Sequence, residues 1–279
     1  MVEYVATKAG SLQRSSWMLI ALLLLVGCQT TEIVTQSPLS PPPIAAPDEN
    51  LVVLDHKYFT VYYDKAFRLA RYVRYSLSSA QLAESDRATR SDKFKADPLL
   101  VSLKGVQVLP KEYLKSGYDQ GHLANSKDFG FSQEAQDTTF YMSNLSPQAP
   151  NLNRDAWLKL ENQVRLWACG EKEVEVITGP VLKEGLPTFK SGLAIPAEFF
   201  KVVLDKTPPE KMLAFVYFQT DKGDVMTSRA VTKEALEEKL KTQVPELKMM
   251  IEAYPVKPVA DWASVDCFTK KKAKKVVSR

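Results

Sequence analysis

Three regimes of hydrophobic patterning succeed one another along the chain. Trp17 to Val26 is an unbroken apolar run of ten residues preceded by Lys8 and Arg14, too short to span a bilayer comfortably and of the length expected for a signal-peptide core. Residues 29–50 place Pro38, Pro41, Pro42, Pro43 and Pro47 among small polar residues, a composition that reads as an extended linker lifting a domain off a membrane. At Leu51 the pattern turns globular. Phe59 to Tyr63 is rich in strand formers, Asp64 and Lys65 supply a turn, and Ala70 to Leu77 reads as the returning strand of a hairpin. Trp157, Leu160, Val164 and Trp167 recur at helical spacing and predict a helix with one buried face. Val174 to Val181, Phe199 to Leu204 and Met212 to Gln219 predict strands, and Val231 to Leu240 predicts a helix capped by Thr232.

The chemistry concentrates between Tyr118 and Arg165. One of only two histidines, His122, sits in Asp119-Gln120-Gly121-His122, where the glycine is expected to let the backbone turn sharply. A neutral imidazole can take a proton from water near neutral pH, although a lone histidine is more often structural. The other histidine, His56, precedes the first predicted strand and reads as structural or surface. Beginning at Asn144, the stretch Asn-Leu-Ser-Pro-Gln-Ala-Pro-Asn-Leu-Asn-Arg predicts a polar loop. Its prolines should exclude helix until Asn153, a good N-cap residue. Glu161, eight residues on, would then lie about 80° round the helix from Asn153, and Arg165 could pair with it at i+4.

At these residues the sequence resembles the DNA/RNA non-specific endonucleases of the ββα-metal class. Their hallmark is D-R-G-H, then N-x-x-P-Q-x-x-x-x-N, then a helix carrying W-x-x-L-E. Here Asp119-Gln120-Gly121-His122, then Asn144, Pro147, Gln148 and Asn153, then Trp157, Leu160 and Glu161 match in order. Gln120 departs from the pattern, standing where the family has arginine. The resemblance implies an α+β fold with mixed or antiparallel sheet layers and flanking helices, and it continues through the T-G-P and P-x-x-F-x-K-V spacing, whose strands would form a second sheet layer behind the catalytic ones. It implies His122 as general base, Asn153 as the direct protein ligand of Mg²⁺ or Mn²⁺, and Glu161 as a holder of the ion's waters. Asn144 and Gln148 would order the loop or touch the ion's hydration sphere. It further implies Arg90, ahead of Phe94, Asp97 and Pro98 in a basic loop, as a phosphate clamp, with Gln120, Gln148 and Arg165 also on the nucleic-acid side. Arginine's planar fork suits phosphate, and Mg²⁺ binds through few protein groups. The plain alternatives are an N-cap for Asn153 and a solvated surface loop for Arg90.

The chain ends shift the picture to a compartment. Leu25-Val26-Gly27-Cys28 resembles the lipobox of bacterial lipoproteins, in which Cys28 is lipidated and becomes the first mature residue; Gln29 after it fits outer-membrane sorting, and an uncleaved anchor is the alternative. Either reading places the domain, residues 51–268, outside the cytoplasm. The formal charge is +4; residues 1–28 hold Lys8, Arg14 and Glu3, so the remainder carries +3. Six basic residues lie between Lys270 and Arg279, which leaves residues 29–269 at −3. The positive balance thus belongs to the basic tail 269–279, a solvated end or a tether for polyanions. With Cys28 lipidated, Cys169 and Cys267 remain, and an oxidising compartment favours pairing them. Scattered His and Cys supply no zinc ligand set.

These readings lead to a lipid-anchored, metal-dependent endonuclease acting on DNA and RNA without base preference and leaving 5′-phosphates. The alternative is an inactive surface lipoprotein that binds nucleic acid, with a phosphodiesterase for another polyanion as a third reading.

Overall fold

The computed structural model describes residues 48–268; the apolar run, Cys28, most of the Pro-rich linker and the basic tail lie outside the described residues. None of the described helices is long and apolar enough to cross a membrane. The first three strands, β1 (Leu51–Asp55), β2 (Thr60–Asp64) and β3 (Leu69–Ser78), form an antiparallel meander in which Val61 faces Val73. The hairpin expected from the alternation is β2–β3, with a register shift between Tyr62 and Tyr63.

The chain then leaves the sheet through the short helix α1 (Ser79–Leu82), whose Ser78 and Gln81 form a reciprocal capping box. It returns almost a hundred residues later. Between these points lie β4 (Asp119–His122), α2 (Gln133–Thr138), β5 (Leu145–Gln148) and α3 (Trp157–Gly170). Afterwards β6 (Glu173–Pro180) pairs antiparallel with β3, followed by β7 (Glu198–Asp205) and β8 (Lys211–Phe218). The result is one six-stranded sheet in the order β1-β2-β3-β6-β7-β8 and a separate two-stranded ribbon, β4-β5. As expected, β6, β7 and β8 lie in a different sheet from the motif-bearing strands; they continue the sheet begun by the meander, and the β4-β5 ribbon stands apart from it.

The large sheet is covered on both faces, which is why β7 reads as a continuous apolar run rather than an alternation. Phe199 and Val203 join Trp157, Leu160, Val164 and Trp167 of α3 in one core, while Phe200, Val202 and Leu204 join the second core. That second core includes Leu236 and Leu240 of α5 (Lys233–Leu240) and Leu247 and Ile251 of α6 (Pro245–Glu252), which follow the short helix α4 (Met226–Arg229). Thr232 caps α5, its hydroxyl accepting from the Ala235 amide. Both indoles of α3 are fully buried, Trp157 edge-on to Tyr217 and Trp167 stacked on Phe215; truncating such a side chain to alanine costs about 3–5 kcal/mol. At the far end of α3, Cys169 is disulfide-bonded to Cys267.

Candidate active site

Two corrections at the ribbon decide what the site can hold. The stretch from Leu145 to Gln148 is a buried strand, not a loop, with Pro147 opposite Gln120 and Gln148 opposite Asp119. Gly121 lies within β4 with ordinary backbone angles, and it is needed for a reason other than a turn. A Cβ there would sit 2.1 Å from Oε1 of Gln148, so the glutamine amide packs directly on the glycine.

The helix also begins earlier than the prolines predicted. Pro150 opens it, as proline at the first helical position can, and the Asn153 amide already donates to the Ala149 carbonyl at 2.9 Å. Asn153 is therefore not an N-cap. It lies in a π-turn, Leu152–Ala156, that leads into α3, and such turns recur at functional sites. An angular count of 100° per residue no longer applies across that turn.

Asp119 fixes what Asn153 presents. The Asn153 Nδ2 donates to Asp119 Oδ2 at 2.9 Å, while Arg154 grips the same carboxylate twice, Nε at 2.8 Å and Nη2 at 2.6 Å. With its amino end held, the Asn153 carbonyl oxygen is left as the free end of the amide. Two turns along α3, Glu161 accepts from Asn125 Nδ2 at 2.5 Å. Asn153 and Glu161 thus clasp the segment 119–125 at both ends, and His122 is the middle of that segment.

His122 is 8 % exposed, packed edge-on to Phe140 at 5.1 Å and beside Phe94 at 5.8 Å, and its Nε2 is buried without a hydrogen-bond partner. Burial, and secondarily the Arg90 guanidinium, lower its pKa to about 3, so the ring is neutral. Arg90 lies over the face of the same Phe140 ring at 5.1 Å and donates to Asp92 at 2.6 Å and to Ser126. Positive charge is thereby held next to the imidazole.

Beneath Glu161 lies a buried polar cluster. Arg165, 1 % exposed, donates to Asp128 at 2.7 Å and to Asn162, and Tyr75 donates to Asp128 at 2.9 Å. The amine of Lys201 lies 4.7 Å from the centroid of the Trp157 ring and is 1 % exposed. Period-two alternation on β7 puts Lys201 on the same face as Phe199 and Val203, toward α3. Burial pushes the Glu161 carboxyl up, opposed by Lys201 and Arg165, and pushes the Lys201 amine down, opposed by Glu161.

The structure therefore ties Asn153 and Glu161 to the two ends of the segment that carries His122 and sets Arg90 on the Phe140 ring that His122 also touches, and it withdraws Arg165 and Gln148 from contact with a polymer and Asn144 from an ion. Arg165 is buried and paired to Asp128, so it cannot touch nucleic acid, and its ion pair is not the i+4 partner Glu161. Gln148 is fully buried under Gly121. Asn144, also fully buried, accepts from the Ala124 amide and donates to the Ala124 and Thr139 carbonyls, which commits it to ordering the backbone after His122 and leaves nothing for an ion's hydration sphere. Gln120 remains half-buried with Nε2 3.9 Å from Met142 Sδ. His56 is structural, as expected, but through a partner far away in sequence: Asp97, 3.0 Å off, which also accepts from Ser143.

Asp119, Asn125, Asp128 and Lys201 were given no role from sequence. Lys201 could have been found: a charge inside the apolar run of β7 is rarely buried without a partner. The donor set fits a hard, hydrated divalent cation. One amide has its amino end engaged and its oxygen left over, and a carboxylate lies two turns on, whereas no cluster of three His, Cys, Asp or Glu able to cage a metal exists among the described residues.

Comparison with known proteins points the same way. A family model described as DNA/RNA non-specific endonuclease matches residues 44–244. A nuclease from Nostoc sp. is 30% identical over 175 residues, covering 63% of this chain and 62% of its own length. Nuclease C1 from Cunninghamella echinulata var. echinulata is 32% identical over 166 residues, covering 54% and 64%. Human mitochondrial endonuclease G is 38% identical over 107 residues, covering 33% and 35%. The chain thus spans less than two thirds of each of these relatives. Among solved structures, the EndoG/EndoGI complex, which concerns EndoG inhibition, matches with a TM-score of 0.60 and 28% identity over 67% of this chain and 82% of that one.

Proposed function

The chain belongs to the DNA/RNA non-specific endonuclease family, and from that premise we propose that it is a divalent-metal-dependent endonuclease hydrolysing phosphodiester bonds of DNA and RNA. The observation that carries this reading is the double clasp: Asn153 on Asp119 and Glu161 on Asn125, with His122 between them.

The roles follow from the chemistry of each group. A neutral imidazole is in the protonation state needed to accept a proton from attacking water. Desolvation weakens it as a base, and the entry of an anionic phosphate acts in the opposite direction by favouring imidazolium. Arg90, braced by Asp92, Ser126 and the Phe140 face, would hold a phosphate oxygen, and Asn153 would hold the ion through its carbonyl oxygen. Glu161, kept from solvent and faced by Lys201 and Arg165, would orient water around that ion. When bound, Mg²⁺ or Mn²⁺ supplies charge to stabilise the phosphorane and the leaving oxygen. Contacts confined to phosphate and ion carry no sequence information, so cleavage should lack base preference. The expected products carry 5′-phosphates. We place the domain outside the cytoplasm, tethered through lipidated Cys28 at the outer membrane; labelling with a radioactive fatty acid, lost in Cys28→Ala, tests that placement.

Plasmid nicking with Mg²⁺, with and without chelator, tests the activity. The wild type should nick only with free metal, and His122→Ala should lose at least about 10²-fold in rate while retaining its circular dichroism spectrum. DNA binding without strand breaks would sink the enzyme reading in favour of a binding protein, and an unaltered rate in His122→Ala would overturn the assignment of the base.

A further inference from the structure

Next to the imidazole the surface opens into a groove of about 700 Å³ that the reaction as described leaves unused, within the range of about 300–1,000 Å³ typical of ligand sites. It is continuous with the site through shared residues. Phe94, one of its walls, touches the His122 ring, and Asp119 and Gln120, which also line it, precede His122 on β4. Its charge is set by which groups are already engaged. The carboxylates of Asp92 and Asp119 are matched by Arg90 and Arg154. Lys93 and Lys111 are exposed, and neither ammonium makes an ion pair among the described residues. Apolar surface lies between these charges: Leu114 is 75 % exposed, and Phe94 and Tyr118 are half-buried.

A cleft that adjoins a phosphodiester-cleaving centre, with two free ammonium groups and aromatic and aliphatic walls, matches the chemistry of a nucleotide: an anionic linkage joined to a flat apolar base. We propose that this groove is a subsite for a nucleotide flanking the scissile linkage in a single-stranded polynucleotide. The base and sugar lie against Phe94, Tyr118 and Leu114, and the flanking phosphates lie beside Lys93 and Lys111. Lysine acts as a point charge and the aromatic walls accept any base, so the subsite adds affinity without reading sequence. The proposal rests on the endonuclease reading, and its test keeps the two apart.

The test compares wild type with Lys93→Ala/Lys111→Ala on two substrates, a single-stranded oligodeoxynucleotide and bis(p-nitrophenyl) phosphate, a diester with no flanking nucleotide. On the oligonucleotide, kcat/KM should fall about tenfold at low salt, and the slope of its logarithm against log salt should flatten by between about 0.7 and 1.4, one or two released counterions on single strands. On the small diester, kcat/KM should not fall. Equal losses on both substrates, no loss on either, or an unaltered salt slope would overturn the subsite while leaving the nuclease reading intact. A wild type inert on both substrates would overturn the nuclease reading and the subsite with it. Both lysines are exposed, so matching thermal melts of the two proteins exclude misfolding as the cause of any loss.

Discussion

Asp119 makes three of the hydrogen bonds that shape the site, all of them to Asn153 and Arg154. It acts by deciding which end of the Asn153 amide is free, and outer groups of this kind typically set metal affinity or activity by about 10–100-fold. In Asp119→Ala the cation concentration for half-maximal cleavage should therefore rise by at least about tenfold, read by titrating activity with Mg²⁺; an unchanged titration would mean that Asn153 needs no such hold. Lys201 acts on Glu161 through its charge. Removing its charge in Lys201→Met leaves the buried carboxyl easier to protonate, so the acidic limb of the kcat/KM against pH profile should move to higher pH by about one unit or more. Lys201→Arg, which keeps the charge, should leave that limb closer to its original position. A merely structural lysine would lower activity without moving the limb. At this scale the sequence disclosed identities better than contacts. His122, Asn153 and Glu161 stand out because their spacing matches a family pattern. Arg165 was misassigned because its partner, Asp128, lies 37 positions away. Gln148 looked available because nothing in the chain announces that Gly121 will lie against its amide.

At the scale of elements, the disulfide closes what the helix leaves open. Cys169 ends the buried face of α3, and Cys267 follows Trp262, whose ring packs on Trp167 at 5.7 Å. The last described residues are thus fastened to the active-site helix both covalently and by an indole contact. Their sequence separation is 98; closing a loop of that size restricts the unfolded chain by up to about 4.7 kcal/mol in the entropic treatment, with about 2–4 kcal/mol the usual yield. Cys169→Ser/Cys267→Ser should accordingly unfold at lower urea, by about 2–4 kcal/mol, and the midpoint should become indifferent to added reductant. A wild type whose urea midpoint ignores reductant would mean that the bridge adds nothing to stability. The strands β2, β3 and β6 were legible from strand-forming or alternating residues, β7 and β8 from apolar runs of strand length, and the cap of α5 from a threonine just before a helical pattern. The β4–β5 ribbon was not, because four residues buried in an edge ribbon show no alternation. The start of the helix before α3 was misplaced because proline at a first helical position obeys the same dihedral limits as proline in a loop. Sheet membership was also beyond reach: that β6 would return beside β3 depends on a register set across nearly a hundred intervening residues.

For the molecule as a whole, the partition of charge was readable from composition alone, since residues 29–269 carry −3 against six basic residues beyond them. The response of the fold to pH was not, because it depends on which ionisable groups folding removes from water. His122 is the clearest such group. Unfolded, its imidazole titrates near its ordinary 6.5; folded, burial and the neighbouring guanidinium of Arg90 hold it at about 3. As pH falls below 6.5 the unfolded chain takes up a proton that the native protein refuses, so native stability drops with acid until the folded pKa is reached. Between pH 7 and pH 5 this one group should cost about 2 kcal/mol. Glu161 works in the other direction: burial raises its pKa above the ordinary carboxylate value, so the native state holds its proton more firmly and gains on acidification over part of the same range. A single stability curve therefore mixes the two. The difference between wild type and His122→Asn, which has nothing to titrate at that position, isolates the imidazole. Urea unfolding of both at pH 7 and pH 5 should show the wild type losing about 2 kcal/mol more than the variant. Parallel losses would mean that the ring is solvated in the native state and titrates there as it does in the unfolded chain, and the desolvated base on which the cleavage chemistry depends would have to be abandoned.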